Sequence, residues 1–420
     1  MVYLKEDEQR MLEGEQGPGV QKAMELLVKV ADAYGAERMI DITQAYIGRF
    51  ALPIVSEMVN GAKFKVPTSC TPLVLDPQRT QEFGLPETVI KEEQRLLSQR
   101  LEMYQRMGLI IPSYTCVPHF VYDLRKGEHV AFTETNVGIL TNSWFGAMTN
   151  LEGTSTSMAS AITGKTPEYG FHLPENRYGR VLIEVAPELE PETFDYADYV
   201  ALATWTGTML FDRIAVYSGL SRNMRPGHAK YLCASQIYRS GAGMFHVVGV
   251  TPEAPTLETA CGGRKPEQRF VFGKKERESV YEEFCSATDT KVDTVIIGCP
   301  HCTLDEIWKI AQLLNGRKVS KGVRLWIGVG QNTEVLADRM GLVDIIEDAG
   351  GRVFADMCIR RPVLPPLGET LGVRVVATTS GSTAQNVYRR GKEGGTGTTA
   401  WFGSTKDCID AAVKGKWRDK

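Results

Sequence analysis

The last third of the chain alternates strands and helices with a regularity that leaves few folds open. VDTVIIG (Val292–Gly298) reads as a strand and Leu304–Leu314 as a helix. VRLWIGV reads as a strand, and Glu334–Asp348 as a helix closed by Gly350-Gly351. RVFADMC and VRVVATTS are further strands, with a short helix at Thr383–Arg390 after the second. TAWFGS is a final strand and Lys406–Lys414 a final helix. Such alternation makes a mostly parallel sheet with helices on both faces, so the fold class is α/β. Earlier helices are expected at Pro18–Tyr34 and from about Pro86 to Met107, each stopped by a glycine. LIIPSYTC (Leu109–Cys116), RVLIEVAP and MFHVVGV read as further strands, the last preceded by a helix from Gly227 to Arg239. At 420 residues the chain exceeds one ordinary core. Three lobes are expected, at 1–110, 111–264 and 278–420, with the charged stretch Lys265–Arg277 as a linker.

In such sheets ligands bind outside the carboxyl ends of the strands. Those ends carry Cys299 and His301, Gln331 and Asn332, Cys358, and Thr378, Thr379, Ser380 and Ser382. Cys116 ends LIIPSYTC, so three strands each finish in a cysteine. The chain has nine cysteines, an odd number scattered over a long sequence, which argues against a disulfide framework. Most should be buried thiols. Cys299-Pro-His-Cys302 has the spacing of a thiol–disulfide oxidoreductase. The strand–helix alternation after it lacks the antiparallel hairpin of a thioredoxin unit. A zinc site needs a second ligand pair at compact spacing, and there is no second CxxC. Cys116, Cys299 and Cys358 are chemically suited to an iron–sulfur cluster, because soft thiolates are its usual ligands. Taken singly, each is equally a core thiol.

A net charge of −3 without a dense basic run gives no reason to expect nucleic acid. The acidic start MVYLKEDEQRMLEGEQ has no apolar core and is not a signal peptide. No stretch of about 18 apolar residues suggests a membrane span, so a cytoplasmic protein is expected. In TETNVGILTNSWFGAMTN (Thr133–Asn150), Glu134, Asn136, Asn142 and Ser143 crowd an otherwise apolar segment. That density means a polar pocket or a capped loop. Lys165, Arg177 and Arg180 could clamp a carboxylate or phosphate, or be solvated loop charges. Gly164-Lys165-Thr166 lacks the upstream glycine of a P-loop.

Six segments in order resemble one family: YTCVPHF, TETNVGILTNSWFGAMTN, ITGKTPEYGFHLPENR, VVGVTPEAPTLETA, IIGCPHCTLDEI and RVFADMCI. Over nearly its whole length the chain is similar to the large subunit of aconitase X, a branch of the aconitase superfamily. The resemblance implies a multi-lobed aconitase-like α/β fold lacking the swivel domain, which a small partner subunit would carry. It implies a hydro-lyase with an iron–sulfur cluster on Cys116, Cys299 and Cys358, with Cys302 a neighbour and not a ligand. The base, a serine in this superfamily, would lie on the small subunit. Glu134, Asn136, Asn142, Ser143 and Lys165 are expected to line the pocket, with Thr68, Ser380 and Ser382 as further candidates. The substrate would be a small hydroxy acid. cis-3-Hydroxy-L-proline leads, because FGSTKDCIDAAVKGKW resembles bacterial members, and (R)-mevalonate 5-phosphate is the alternative. Three departures fall where substrate is chosen: TETN stands in place of the family's ESN, Met148 stands where an arginine is common, and ITQAYIGRFA (Ile42–Ala51) matches either group poorly. Rival readings are a thiol oxidoreductase using Cys299 and Cys302, and a structural metal-binding subunit.

Overall fold

The computed structural model describes residues 2–48, 57–71, 73–76, 78–110, 114–117, 122–392 and 397–418, with the backbone alone for 388–392. Three parallel sheets organise it. In the first, strand Ala45–Ile47 lies between Thr68–Cys70 and Ala131–Phe132. A short antiparallel pair, Met39–Asp41 with Lys165–Pro167, sits beside it. The second sheet runs in the order Phe245–Val247, Ala215–Ser218, Val181–Val185, Gln268–Phe272. The third has five strands, in the order Arg352–Ala355, Arg324–Val329, Thr294–Cys302, Val375–Thr378, Thr399–Phe402.

The helices form where the apolar spacing demands. Pro18–Tyr34 buries Ala23, Met24, Leu27 and Ala31, and stops at Gly35 in the left-handed region, φ +70°. Leu304–Leu314 starts at a capping box, in which Thr303 accepts from the Glu306 amide and Glu306 reaches back. It buries Ile307, Ile310, Ala311 and Leu314. Val295 and Ile297 of the central strand pack on that helix side. Ile296 points the other way, into a core with Phe83, Trp326 and Phe354. The rings of Phe83 and Phe354 stack at 4.1 Å. Both faces of the third sheet are therefore covered, the second partly by residues of the first lobe.

Several expectations are corrected. The central strand does not stop before Cys299 but runs through Cys302, with a register shift between Ile297 and Cys302. Gly298, at φ +105°, allows this, because a Cβ there would stand 2.3 Å from the Gly328 carbonyl oxygen. Lys265–Arg277 is no linker, since Gln268–Phe272 forms an edge strand of the second sheet. The first lobe does not end at residue 110, because Ala131–Phe132 pairs with Ala45–Ile47. The single helix at Glu334–Asp348 is two, Gln331–Arg339 and Leu342–Asp348, divided at Gly341, φ +70°. Residues 111–113 of LIIPSYTC, 118–120 of YTCVPHF and 393–396 of the loose GKEGGTGTT loop lie outside the described residues. No described helix is long and apolar enough to cross a membrane.

One buried ion pair joins the second and third lobes. Lys230, on helix Pro226–Gln236, and Glu306 are each 1% exposed. Lys230 Nζ donates to the Glu306 carboxylate and to the His301 carbonyl. Tyr231 OH and the Thr303 amide and hydroxyl complete the glutamate's shell at 2.7, 2.8 and 2.9 Å. Removing one charge strands the other without water. Lys230→Met should lower the unfolding free energy by about 3–5 kcal/mol in urea titrations, with partial recovery in the Lys230→Met/Glu306→Gln double variant.

Candidate functional site

The third sheet changes direction beside its central strand. The chain first builds outward through Arg324–Val329 to Arg352–Ala355, then crosses to Val375–Thr378 and Thr399–Phe402. The carboxyl ends at such a switch point frame a crevice. Here a cavity of about 700 Å³ opens where all three lobes meet. Cys116 reaches it from the first lobe, Cys299 from the central strand, and Cys358 from the turn after Arg352–Ala355.

The thiols are unequal. Cys116 is 8% exposed, whereas Cys299 and Cys358 are half-buried. Burial pushes the Cys116 thiol well up, and the Glu134 carboxylate adds to this. The His301 amide, donating to Cys116 Sγ at 3.3 Å, acts against it. Cys299 and Cys358 also raise it, so the three anions would repel one another. A cationic centre relieves that repulsion, and soft thiolates suit an iron–sulfur cluster. Among the described residues no three His, Cys, Asp or Glu side chains crowd closely enough for a single metal ion. A cluster of several irons spreads its ligands more widely.

Three arginines bring positive charge. Arg360 donates to Tyr238 OH at 2.7 Å and to Ser382 Oγ. Burial would lower its pKa, but Cys299, Tyr238 and Cys358 outweigh this and raise it. Arg361 and Arg100 also line the cavity. The Nε groups of Arg360 and Arg361 are buried and lack a partner among the described residues. Glu134 is the carboxylate of this wall. Its backbone sits at φ +68°, a region uncommon for side chains other than glycine, and its Oε2 lies 3.1 Å from Tyr46 OH, which shares its one hydrogen with the nearer Thr115 carbonyl.

Of the residues expected at the pocket, the structure brings Cys116, Cys299, Cys358, Glu134, Asn136 and Ser382 to this cavity. Asn136 also donates to the Cys116 carbonyl at 3.3 Å. The other five are engaged elsewhere. Lys165 lies in a carboxylate cage, 2.8 Å from Asp41, 3.2 Å from Asp7 and 3.3 Å from Glu8. Asn142 donates to the Thr149 and Gly243 carbonyls, and Ser143 accepts from the Phe245 amide. Thr68 donates to the Val66 carbonyl, and Ser380 accepts from the Thr383 amide. The polar density of Thr133–Asn150 is thus mostly architecture. Arg177, 2% exposed, threads the segment and donates to the Asn142 and Ala147 carbonyls while pairing with Glu253. Thr141–Phe145 forms a π-helical turn there. Sequence reasoning missed Arg100, Tyr238, Arg360 and Arg361. The paired arginines directly after ADMCI were the available signal.

The redox-pair reading of Cys299 and Cys302 fails on geometry. Cys302 is fully buried in the apolar core under the helices, and Cys299 packs against the core on the other face. The two thiols therefore face cores on opposite sides of the sheet.

Models of the aconitase X first, second and third domains match residues 1–175, 179–282 and 292–414. The phosphomevalonate dehydratase large subunit of Methanocaldococcus jannaschii is 33% identical over 396 residues, 91% of this chain and 94% of that protein. The cis-3-hydroxy-L-proline dehydratase of Pseudomonas aeruginosa is 32% identical over 422 residues, 97% of this chain and 70% of that protein. The crystal structure of Thermococcus kodakaraensis aconitase X in its holo-form superimposes with a TM-score of 0.83 at 29% identity, covering 98% of this chain and all of that one.

Beyond the Cys358 segment lies a smaller cavity, about 150 Å³, lined by Asp76, Glu334 and Asp356. Burial, then the charge of Asp76, pushes Glu334 up to about 7, and burial pushes Asp356 up to about 6. A carboxyl that holds its proton more tightly when folded favours the folded state below its unfolded pKa, and that contribution is lost as pH rises through the folded one. The contribution of these two carboxyls to stability should therefore fall between about pH 4 and pH 7. Glu334→Gln should flatten that slope in thermal melts across the range. A profile identical to the parent's would show that the carboxyl ionises freely.

Proposed function

Because this chain belongs to the aconitase X family, we propose that it is the large subunit of an iron–sulfur hydro-lyase that dehydrates a small hydroxy acid. The observation that carries this reading is the meeting of Cys116, Cys299 and Cys358, from three separate segments, at one cavity that guanidinium groups also line. These three thiols would hold the cluster. When bound, it supplies a Lewis acid for the departing hydroxide.

The chain's own residues do the rest of the binding. Arg361 and Arg100 line the cavity and attract the substrate's anionic groups. Tyr238 and Ser382 hold the Arg360 guanidinium from the side, so it meets a ligand in one orientation. Dehydration removes a proton beside the carboxylate and hydroxide from the next carbon, leaving a double bond and water. The proton needs an acceptor within hydrogen-bond reach. Relatives named as large subunits imply a smaller partner, and a serine of its swivel domain is the acceptor in this reading. Nine free thiols support a reducing, cytoplasmic setting.

The leading substrate is cis-3-hydroxy-L-proline. Glu134 offers a partner for its ring ammonium, while a guanidinium takes the carboxylate. A second reading, (R)-mevalonate 5-phosphate, is favoured by the number of guanidinium groups, since a carboxylate and a phosphate together need several fixed cations.

Anaerobic purification with the small partner, followed by iron and acid-labile sulfide analysis, tests the site. Cys116→Ser, Cys299→Ser and Cys358→Ser should each lose iron, sulfide and dehydration together, whereas Cys302→Ser should keep all three. Retained activity in the first three variants would sink the reading. Arg361→Gln should raise KM by roughly tenfold or more for the true substrate. Pyrroline-carboxylate formation against loss of mevalonate 5-phosphate distinguishes the two candidates.

A further inference from the structure

His301 touches all three cysteine-bearing segments. Its own amide donates to Cys116 Sγ at 3.3 Å. Its ring Nε2 lies 2.7 Å from the carbonyl oxygen of Met357, next to Cys358. Its ring Nδ1 lies 3.0 Å from the hydroxyl of Thr115, next to Cys116. It stands two residues from Cys299, and it is 1% exposed.

These contacts define one proton arrangement. A carbonyl can only accept, so Nε2 carries the hydrogen. In the neutral ring Nδ1 then accepts from the Thr115 hydroxyl. That hydroxyl oxygen in turn accepts from the Val117 amide at 3.1 Å. Every donor in the chain from Val117 to Met357 has one acceptor. The backbone of His301 is also held from behind, because Lys230 Nζ donates to its carbonyl. Tyr46 OH holds the Thr115 carbonyl at 2.8 Å. An imidazole with both nitrogens used, at a point common to the three segments, sets how far apart they can stand.

We propose that His301 is a positioning residue that locks the segments of Cys116, Cys299 and Cys358 into one register and donates its amide to the Cys116 sulfur. The proposal rests on the cluster reading of these cysteines. Groups that orient ligands from behind commonly govern how tightly a metal is held, and hydrogen bonds to cluster sulfurs tune the cluster's electronic properties.

The test uses the full chain, purified anaerobically and reconstituted with ferrous iron and sulfide. His301→Leu should release iron to a chelator with roughly tenfold weaker retention, and the remaining loaded fraction should show shifted visible absorption bands. His301→Gln, whose amide can still donate to Met357, should recover most of the retention. Thermal melts of the metal-free chains report folding separately. A folded His301→Leu with parental iron retention and band positions overturns the positioning role. If His301→Leu does not fold, Thr115→Val decides the matter, because it removes only the hydroxyl that donates to Nδ1. Parental retention and bands in Thr115→Val then overturn the proposal, and weakened retention with shifted bands supports it. A parent chain that takes up neither iron nor sulfide instead refutes the cluster reading itself.

Discussion

The structure depends on a parallel strand that is buried on both faces and ends in chemistry. Thr294–Cys302 has helices on one side and residues of the first lobe on the other, and its Val295, Ile296 and Ile297 are at most 1% exposed. Such a strand cannot lie at a surface, because both rows of its side chains are apolar. The other lobes must therefore gather around it. Their meeting place is its carboxyl end, where loops from several strands converge. The polar cavity and the apolar core are two consequences of the same burial.

The C-terminal half of the fold was legible because its periodicities are strong. Leu304–Leu314 and the strands around it stand where their spacing placed them. Errors arose where tertiary packing overrode local signals. Lys265–Arg277 looked like a linker because it is charged and poor in apolar residues, yet Gln268–Phe272 is an edge strand whose Gln268, Arg269 and Val271 are exposed. Cys299-Pro-His-Cys302 looked like a strand-to-helix junction because an apolar β-rich run leads into it and a helical pattern follows, whereas here close approach of Gly298 to Gly328 lets the strand continue.

The site was legible for the thiols and less so for the groups around them. Cysteines at strand ends are visible in one dimension. Whether Lys165 faces a ligand or three carboxylates is decided by which helix packs over it, and that helix, Glu6–Leu12, is far away in sequence. Asn142 and Ser143 looked like pocket residues because polar groups in an apolar segment need partners. Their partners are backbone groups of the same lobe junction. Arg360 and Tyr238 come from different lobes and become one unit only by meeting.

The wide separation of the three thiols along the chain also orders events in time. Cys116 leaves the ribosome while Cys299 and Cys358 are still unmade. Its own immediate neighbours cannot yet be held, since His301 and Met357 lie on unsynthesised chain. A growing chain thus carries Cys116 without the two distant thiols that share its cavity. The three thiols can share one cavity only once Cys358 is made and the third sheet has closed.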